Sequence, residues 1–319
     1  MAVVGAKLVS IKESTTLDVF VKGSYSPTTT TIEPSNNSPP KQLFIVCPSE
    51  AGTYDVILFF PGTSLSNNSY SELFQHIASH GFILVAPQLY SLLPPCGNTE
   101  VDYAAQVANW LSSGLQSVLP ENVKPNLNNL VLSGHSRGGQ TAFALAIGYA
   151  KSPQVVPQFS AIIGIDPVAG TSVLTALNPP LLSHDSFDFL SSSMPVTVIG
   201  TGLGGVTKCF ASCAPEGANH EEFYKRCKST RAHFVATDYG HMDILDDRPA
   251  DLNSRVLSKC LCTNGKYSRD PMRKCVGGIA VAFLKKFVDL ISGDDDFITI
   301  VKDPSVAPIR LDSIEFIEG

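Results

Sequence analysis

The order of elements along this chain predicts an α/β fold, a mostly parallel central sheet flanked by helices. Three observations carry the prediction. Short runs rich in β-branched and aromatic residues alternate with longer stretches of helical periodicity. Some of the strand runs are apolar throughout, as in Phe82–Ala86, which marks strands buried on both faces. The 319 residues are 44% hydrophobic and only 16% charged, a balance that suits a folded domain and excludes a largely disordered chain.

Residues 1–41 differ in composition from the rest of the chain. Thr28–Thr31 and Ser35–Pro40 are polar and flanked by proline, so an N-terminal extension is expected there, ahead of a single domain over residues 42–319. Val19–Gly23 equally fits a first strand. The first dozen residues carry Lys7 and Lys12 and no acid before Glu13. That matches an organelle transit peptide in part, but no arginine precedes Arg137.

From Gln42 onward, strands are expected at Leu43–Cys47 and Tyr54–Phe60, both bounded by turn residues. Tyr70–Ser79 puts Leu73, Ile77 and Ala78 on one helical face. The strand Phe82–Ala86 comes next. Tyr103–Leu119 repeats apolar residues every three to four positions, the period of an amphipathic helix. Leu130–Ser133 is the next strand and Gln140–Ala150 the next helix. Ala161–Ile165, Val196–Gly200 and Phe234–Thr237 complete the strands, Val276–Leu290 is a closing helix, and Asp294–Asp296 is a solvated turn. No internal repeat is visible.

Composition excludes several functions. Lys+Arg total 23 against Asp+Glu 29, a net charge of -6 without a basic cluster, which argues against nucleic-acid binding. No apolar stretch approaches the roughly 18 residues a transmembrane helix needs. Eight cysteines stand at 47, 96, 209, 213, 227, 260, 262 and 275. Neither 209/213 nor 260/262 is a C-x-x-C, and no histidine follows at finger spacing, so no metal site is predicted. Buried thiols and at most one bridge are expected instead.

The sharpest local signal is Gly134-His135-Ser136-Arg137-Gly138. It lies between a strand and a helix, the context a nucleophile elbow requires. The turn is tight enough that Gly134 and Gly138 must be nearly free of side chain, and the helix N-terminus favours developing negative charge. Ser136 then needs a base and a carboxylate that orients it, in the chain order serine, acid, histidine. His233 begins a strand and so lies at the wrong edge of the sheet. His220 sits beside Glu221 and Glu222, where an ion pair accounts for it. His241 lies just beyond the C-terminal end of a strand, where catalytic groups gather in open α/β sheets, and is the expected base. Asp166 ends Ala161–Ile165 at the same edge and is the expected acid. Asp185, Asp188, Glu216, Asp238 and Asp243 are the other carboxylates considered. A tetrahedral oxyanion needs two N–H donors. Arg137, directly after the nucleophile, and Thr63, in the loop Phe60–Ser64, are expected to supply them.

Taken with their neighbours, these residues are specific. Ser79-His80-Gly81-Phe82 leads to Ala86-Pro87-Gln88-Leu89-Tyr90. The elbow reads Ser133-Gly134-His135-Ser136-Arg137-Gly138-Gly139, with Thr141-Ala142-Phe143-Ala144 after it. Ile163-Gly164-Ile165-Asp166-Pro167-Val168 and Tyr239-Gly240-His241 with Leu245-Asp246-Asp247 complete the set. From about Lys41 to Asp312 the chain resembles plant chlorophyllases, a branch of the α/β-hydrolase superfamily. One departure is Pro61-Gly62, where family members often carry His-Gly. The resemblance implies hydrolysis of chlorophyll to chlorophyllide and phytol by a triad of Ser136, Asp166 and His241, without a cofactor, the magnesium belonging to the substrate. It leaves room for peripheral membrane association. Chloroplast is the family's usual location, with endomembrane and cytosol as alternatives. Tyr90, Leu92, Leu93 and Phe187 are expected to line the apolar cleft such a substrate needs. The rival readings are another carboxylesterase or lipase of the same fold, and a non-catalytic binder that keeps it.

Overall fold

The computed structural model describes residues 16–319 apart from 37, 96–97, 171–176, 184–186, 188–192, 209–210, 250 and 290–294. Among the described residues nine strands form one sheet in the order β1-β2-β4-β3-β5-β6-β7-β8-β9. They are β1 (Pro27–Ile32), β2 (Leu43–Pro48), β3 (Gly52–Phe60), β4 (Phe82–Pro87), β5 (Val123–His135), β6 (Ala161–Ile165), β7 (Val196–Thr201), β8 (Arg231–Ala236) and β9 (Leu311–Ile317). β4, β3, β5, β6, β7 and β8 run parallel to one another. β1, β2 and β9 join in antiparallel pairings at the two edges.

The apolar strands explain themselves by burial. All six residues of β4 and all five of β6 are buried, as the unbroken runs predict. In β3, whose side chains alternate between faces, Ile57 and Phe59 pack into one core while Val56, Leu58 and Phe60 pack into the other. The first core is closed by α1 (Ser71–Ala78) and α6 (Arg269–Phe287). The second is closed by α2 (Thr99–Gly114), α3 (Arg137–Ala146) and α4 (His220–Arg226). Two further helices are α5 (Leu252–Cys260) and α7 (Asp296–Lys302). The parallel strands bring the ends of β3, β5, β6, β7 and β8 to one edge of the sheet.

The boundary expected at residue 41 moves towards the N-terminus. β1 pairs with β2 along its whole length, and ahead of it a 3₁₀ turn, Asp18–Phe20, stands where a strand was expected over Val19–Gly23. Val19 and Phe20 are buried in the α1/α6 core. The main-chain oxygens of Val19 and Val21 lie 2.8 and 3.0 Å from Nε2 of His76 and His80, which anchors the turn and the residue after it to α1 and the segment that follows α1. The helix expected over Val276–Leu290 begins earlier, at Arg269, and Leu290 lies outside the described residues, as do residues 1–15 and Asp294.

Candidate active site

Ser136 sits between β5 and α3 with φ 58° and ψ -127°. A non-glycine residue in this region costs about 1–3 kcal/mol, so its surroundings must hold it there. They do so through main-chain bonds: Ser136 N–H donates to Ile165 at 3.1 Å, and its carbonyl accepts from Val168 at 3.1 Å. The flanking glycines are required by contact. A Cβ on Gly134 would come within 2.3 Å of the Gly138 carbonyl oxygen, and one on Gly138 within 2.0 Å of that of Phe60. Arg137 opens α3, so its N–H has no acceptor within the helix. Its side chain turns away into a buried ion pair, Nε to Oε2 of Glu100 at 2.5 Å, and Thr141 donates to the other carboxylate oxygen at 2.8 Å. Glu100, on α2, was not legible as part of the site. It ties the elbow to the neighbouring helix.

His241 follows β8, and its Nε2 lies 2.8 Å from the Ser136 hydroxyl. Its Nδ1 lies 2.7 Å from Oδ2 of Asp166. Asp166, completely buried at the end of β6, also accepts from the Thr201 hydroxyl at 2.6 Å and the Thr201 N–H at 3.2 Å. Burial alone would raise its pKa. The bonds from His241 and Thr201 and the nearby imidazoles outweigh burial and hold the carboxyl below its ordinary range, at about 2. The structure therefore brings Ser136, His241 and Asp166 into one hydrogen-bonded series.

The other candidates lie elsewhere. His220 and His233 form a buried pair, Nδ1 to Nε2 at 2.8 Å, behind Asp166, with His220 Nε2 4.0 Å from Oδ1. Burial pushes both below the usual imidazole range, His233 to about 3. Asp243 accepts the N–H groups of Gly240 and Gly265 and pairs with Arg269, so it braces the histidine loop from below. Glu216 is exposed, beside His220 in a separate polar pocket. Asp185 and Asp188 lie outside the described residues.

Ser136 and His241 open on a cleft of about 570 Å³, and Thr63 and Arg137 line it beside them. Its walls are largely apolar, with Leu65, Pro94, Val168, Leu177, Leu257 and Leu261 among them. None of the four residues expected to line it does so. Phe187 is drawn into the core against Phe143 and Phe223, and Tyr90 lines a small separate pocket beside Glu100. Leu92 and Leu93 are exposed, in the loop that Ser64 grips through the Leu92 carbonyl. The far wall comes instead from Lys208, Ala211, Ser212 and Cys213 together with α5, joined by the Cys213–Cys262 disulfide and by Lys208, which donates to the carbonyls of Lys259 and Cys262. Cys47, Cys227 and Cys275 are buried free thiols and Cys260 an exposed one, while Cys96 and Cys209 lie outside the described residues. Among the described residues no group of three or more His, Cys, Asp or Glu is placed to hold a metal ion.

A mostly parallel sheet with serine, histidine and carboxylate bonded in series at the C-terminal edge of its strands defines a carboxylic ester hydrolase of the α/β-hydrolase class. The particular family emerges from comparison with known proteins. The family model described as chlorophyllase matches residues 15–318, and the chain belongs to that family. It is 61% identical to "Chlorophyllase-1, chloroplastic" of Citrus unshiu, over 95% of this chain and 90% of that protein. It is 50% identical to "Chlorophyllase-1" of Arabidopsis thaliana, over 92% and 90% respectively. A more distant likeness, 25% over 77% of this chain, is to "Cutinase est1" of Thermobifida alba.

Proposed function

We propose that this chain hydrolyses the phytyl ester of chlorophyll, releasing chlorophyllide and phytol, with Ser136 as nucleophile, His241 as general base and Asp166 as its orienting acid. The observation that carries the reading is the unbroken series Ser136 Oγ, His241 Nε2, His241 Nδ1 and Asp166 Oδ2, at 2.8 and 2.7 Å, opening on an apolar cleft. Nδ1 donates to the carboxylate, which leaves the Nε2 lone pair facing the serine. His241 takes the Ser136 proton as the hydroxyl attacks the ester carbonyl of the propionate arm. The oxyanion rests on the N–H groups of Thr63 and Arg137. The imidazolium then protonates the departing phytol oxygen. Water, activated by the same imidazole, attacks the acyl-enzyme and frees chlorophyllide. The chemistry asks for no cofactor, since the magnesium belongs to the substrate.

The location that fits best is the chloroplast, as the names of the citrus relatives support. Peripheral contact with a membrane agrees with the exposed Leu92, Leu93, Leu252, Val256 and Leu261 around and beyond the cleft. No helix among the described residues is long and apolar enough to cross a membrane. The test is direct. Purified protein incubated with detergent-solubilised chlorophyll is expected to yield a polar, phytol-free pigment, and Ser136→Ala to yield none while folding normally. Pigment turnover by Ser136→Ala at the wild-type rate would remove the serine from its role.

A further inference from the structure

His135, the second residue of the elbow pentapeptide, is fully buried and takes no part in the cleft wall. Its surroundings nevertheless fix its chemistry. Nε2 lies 2.9 Å from the main-chain oxygen of His241. A carbonyl only accepts, so Nε2 carries the ring proton. Burial and the neighbouring His241 push the imidazole down to about 3, so the ring is neutral and Nδ1 is a bare acceptor. Nδ1 lies 2.9 Å from the Tyr70 hydroxyl, which must therefore donate to it. Burial pushes the Tyr70 phenol far above its ordinary range, so that proton stays. The Tyr70 oxygen in turn accepts the Gly62 N–H at 3.0 Å.

Every bond in this network has one direction. Gly62 N–H donates to Tyr70, Tyr70 donates to His135, and His135 donates to the carbonyl of His241. The two ends belong to different loops: Gly62 precedes Thr63 in the loop after β3, and His241 follows β8. The middle of the network is the elbow itself. A buried polar network with every member satisfied holds its parts in one arrangement.

We propose that Tyr70 and His135 are positioning residues that lock the oxyanion loop to the main chain of the base, and so set the span between the Thr63 N–H and the His241 ring across the reacting carbonyl. The inference rests on the roles proposed for Ser136 and His241. Its loss is felt in the transition state rather than the ground state, because the carbonyl oxygen gains negative charge only on the way to the tetrahedral intermediate.

Tyr70→Phe removes one oxygen and keeps the ring that packs on Phe59 and Phe74. Loss of a whole oxyanion donor costs about two to three orders of magnitude, so a displaced one is expected to lower kcat by about 10- to 100-fold, with KM changed by less than about twofold. Affinity for a boronic acid that forms the tetrahedral adduct should fall in the same proportion. His135→Gln keeps an acceptor for Tyr70 and a donor for the His241 carbonyl, and should retain about tenfold more activity than His135→Leu. Wild-type kcat and adduct affinity in Tyr70→Phe, or equal losses in His135→Gln and His135→Leu, would overturn the proposal. An independent readout needs no substrate: ¹⁵N NMR of the His135 ring should report a neutral Nε2–H tautomer that does not titrate between about pH 5 and pH 9. An Nδ1–H tautomer or a titrating ring overturns the network even if the enzyme is active. The expected tautomer in a wild-type protein that cleaves no ester would count against the functional reading instead.

Discussion

Replacing Asp166 with asparagine alters one end of one side chain and should remove most of the activity. In the native arrangement Oδ2 accepts from His241 Nδ1 at 2.7 Å and from the Thr201 hydroxyl at 2.6 Å, while Oδ1 accepts the Thr201 N–H at 3.2 Å. An asparagine offers one acceptor end and one donor end. The Thr201 amide, fixed in β7, can only donate, so the carboxamide oxygen stays beside it and the NH₂ group turns towards His241. The Thr201 hydroxyl rotates to accept. Nδ1 must then accept too, and the ring proton moves to Nε2, where it points at Ser136 and leaves no base. The equivalent change in a serine protease lowers turnover about 10⁴-fold, or about 5 kcal/mol in barrier. Circular dichroism and thermal melting should find the fold intact, and steady-state hydrolysis of chlorophyll and of a p-nitrophenyl ester should both show the loss. A folded Asp166→Asn enzyme that loses less than about tenfold would refute this role for the carboxylate. Glu216→Gln and Asp238→Asn, measured beside it, should lose far less.

Gly62→Val should cut turnover by about two to three orders of magnitude, because its Cβ would meet Leu65 at 2.9 Å, His135 at 3.1 Å and Ser136 at 3.2 Å and push the oxyanion loop outward. Near-normal kinetics in folded protein would place the donor elsewhere. Phe20→Ala should destabilise the fold by about 3–5 kcal/mol in denaturant titration, since the ring fills the core against Gly278, and deletion through residue 20 should give unstable protein. Asp246 adds a pH dependence. Burial pushes its carboxyl up to about 7, opposed by the Glu72 N–H it accepts at 2.9 Å. The unfolded value is about 3.9, so the folded state holds the proton more tightly, and this contribution is complete below about pH 4 and lost as pH rises through 7. Between about pH 5 and pH 8 the wild type should lose about 2–3 kcal/mol relative to Asp246→Asn, and parallel profiles would show the group ionised throughout.

What the sequence discloses is what local chemistry decides. Phe82–Ala86 and Ala161–Ile165 read as central strands because burial on both faces leaves no polar position. Gly134 and Gly138 read as an elbow because main-chain contacts allow nothing larger. β1 escaped notice because Thr28–Thr31 form a largely exposed edge whose only task is to pair with β2. Val19 and Phe20 form a two-residue anchor inside polar text, too short for any periodicity. The cleft walls are illegible for a related reason. Leu92 and Leu93 look like a lining but stand in solvent, whereas the actual wall at Lys208, Ala211, Ser212 and Cys213 is set by a disulfide to Cys262 and by Lys208 reaching main-chain carbonyls. The bond between Tyr70 and His135 spans 65 positions, and Arg137 meets a glutamate 37 positions away. No local pattern encodes either.

If Ser136 attacks the acyl carbon of the phytyl ester and water later frees the acid, the oxygen of that water must end in the acid and not in the alcohol. Hydrolysis of chlorophyll in H₂¹⁸O, followed by mass spectrometry of both products, decides the point. The label is predicted in the carboxylate of chlorophyllide and absent from phytol. Label in the phytol hydroxyl would mean cleavage of the alkyl–oxygen bond, and would contradict the mechanism built on Ser136, His241 and Asp166.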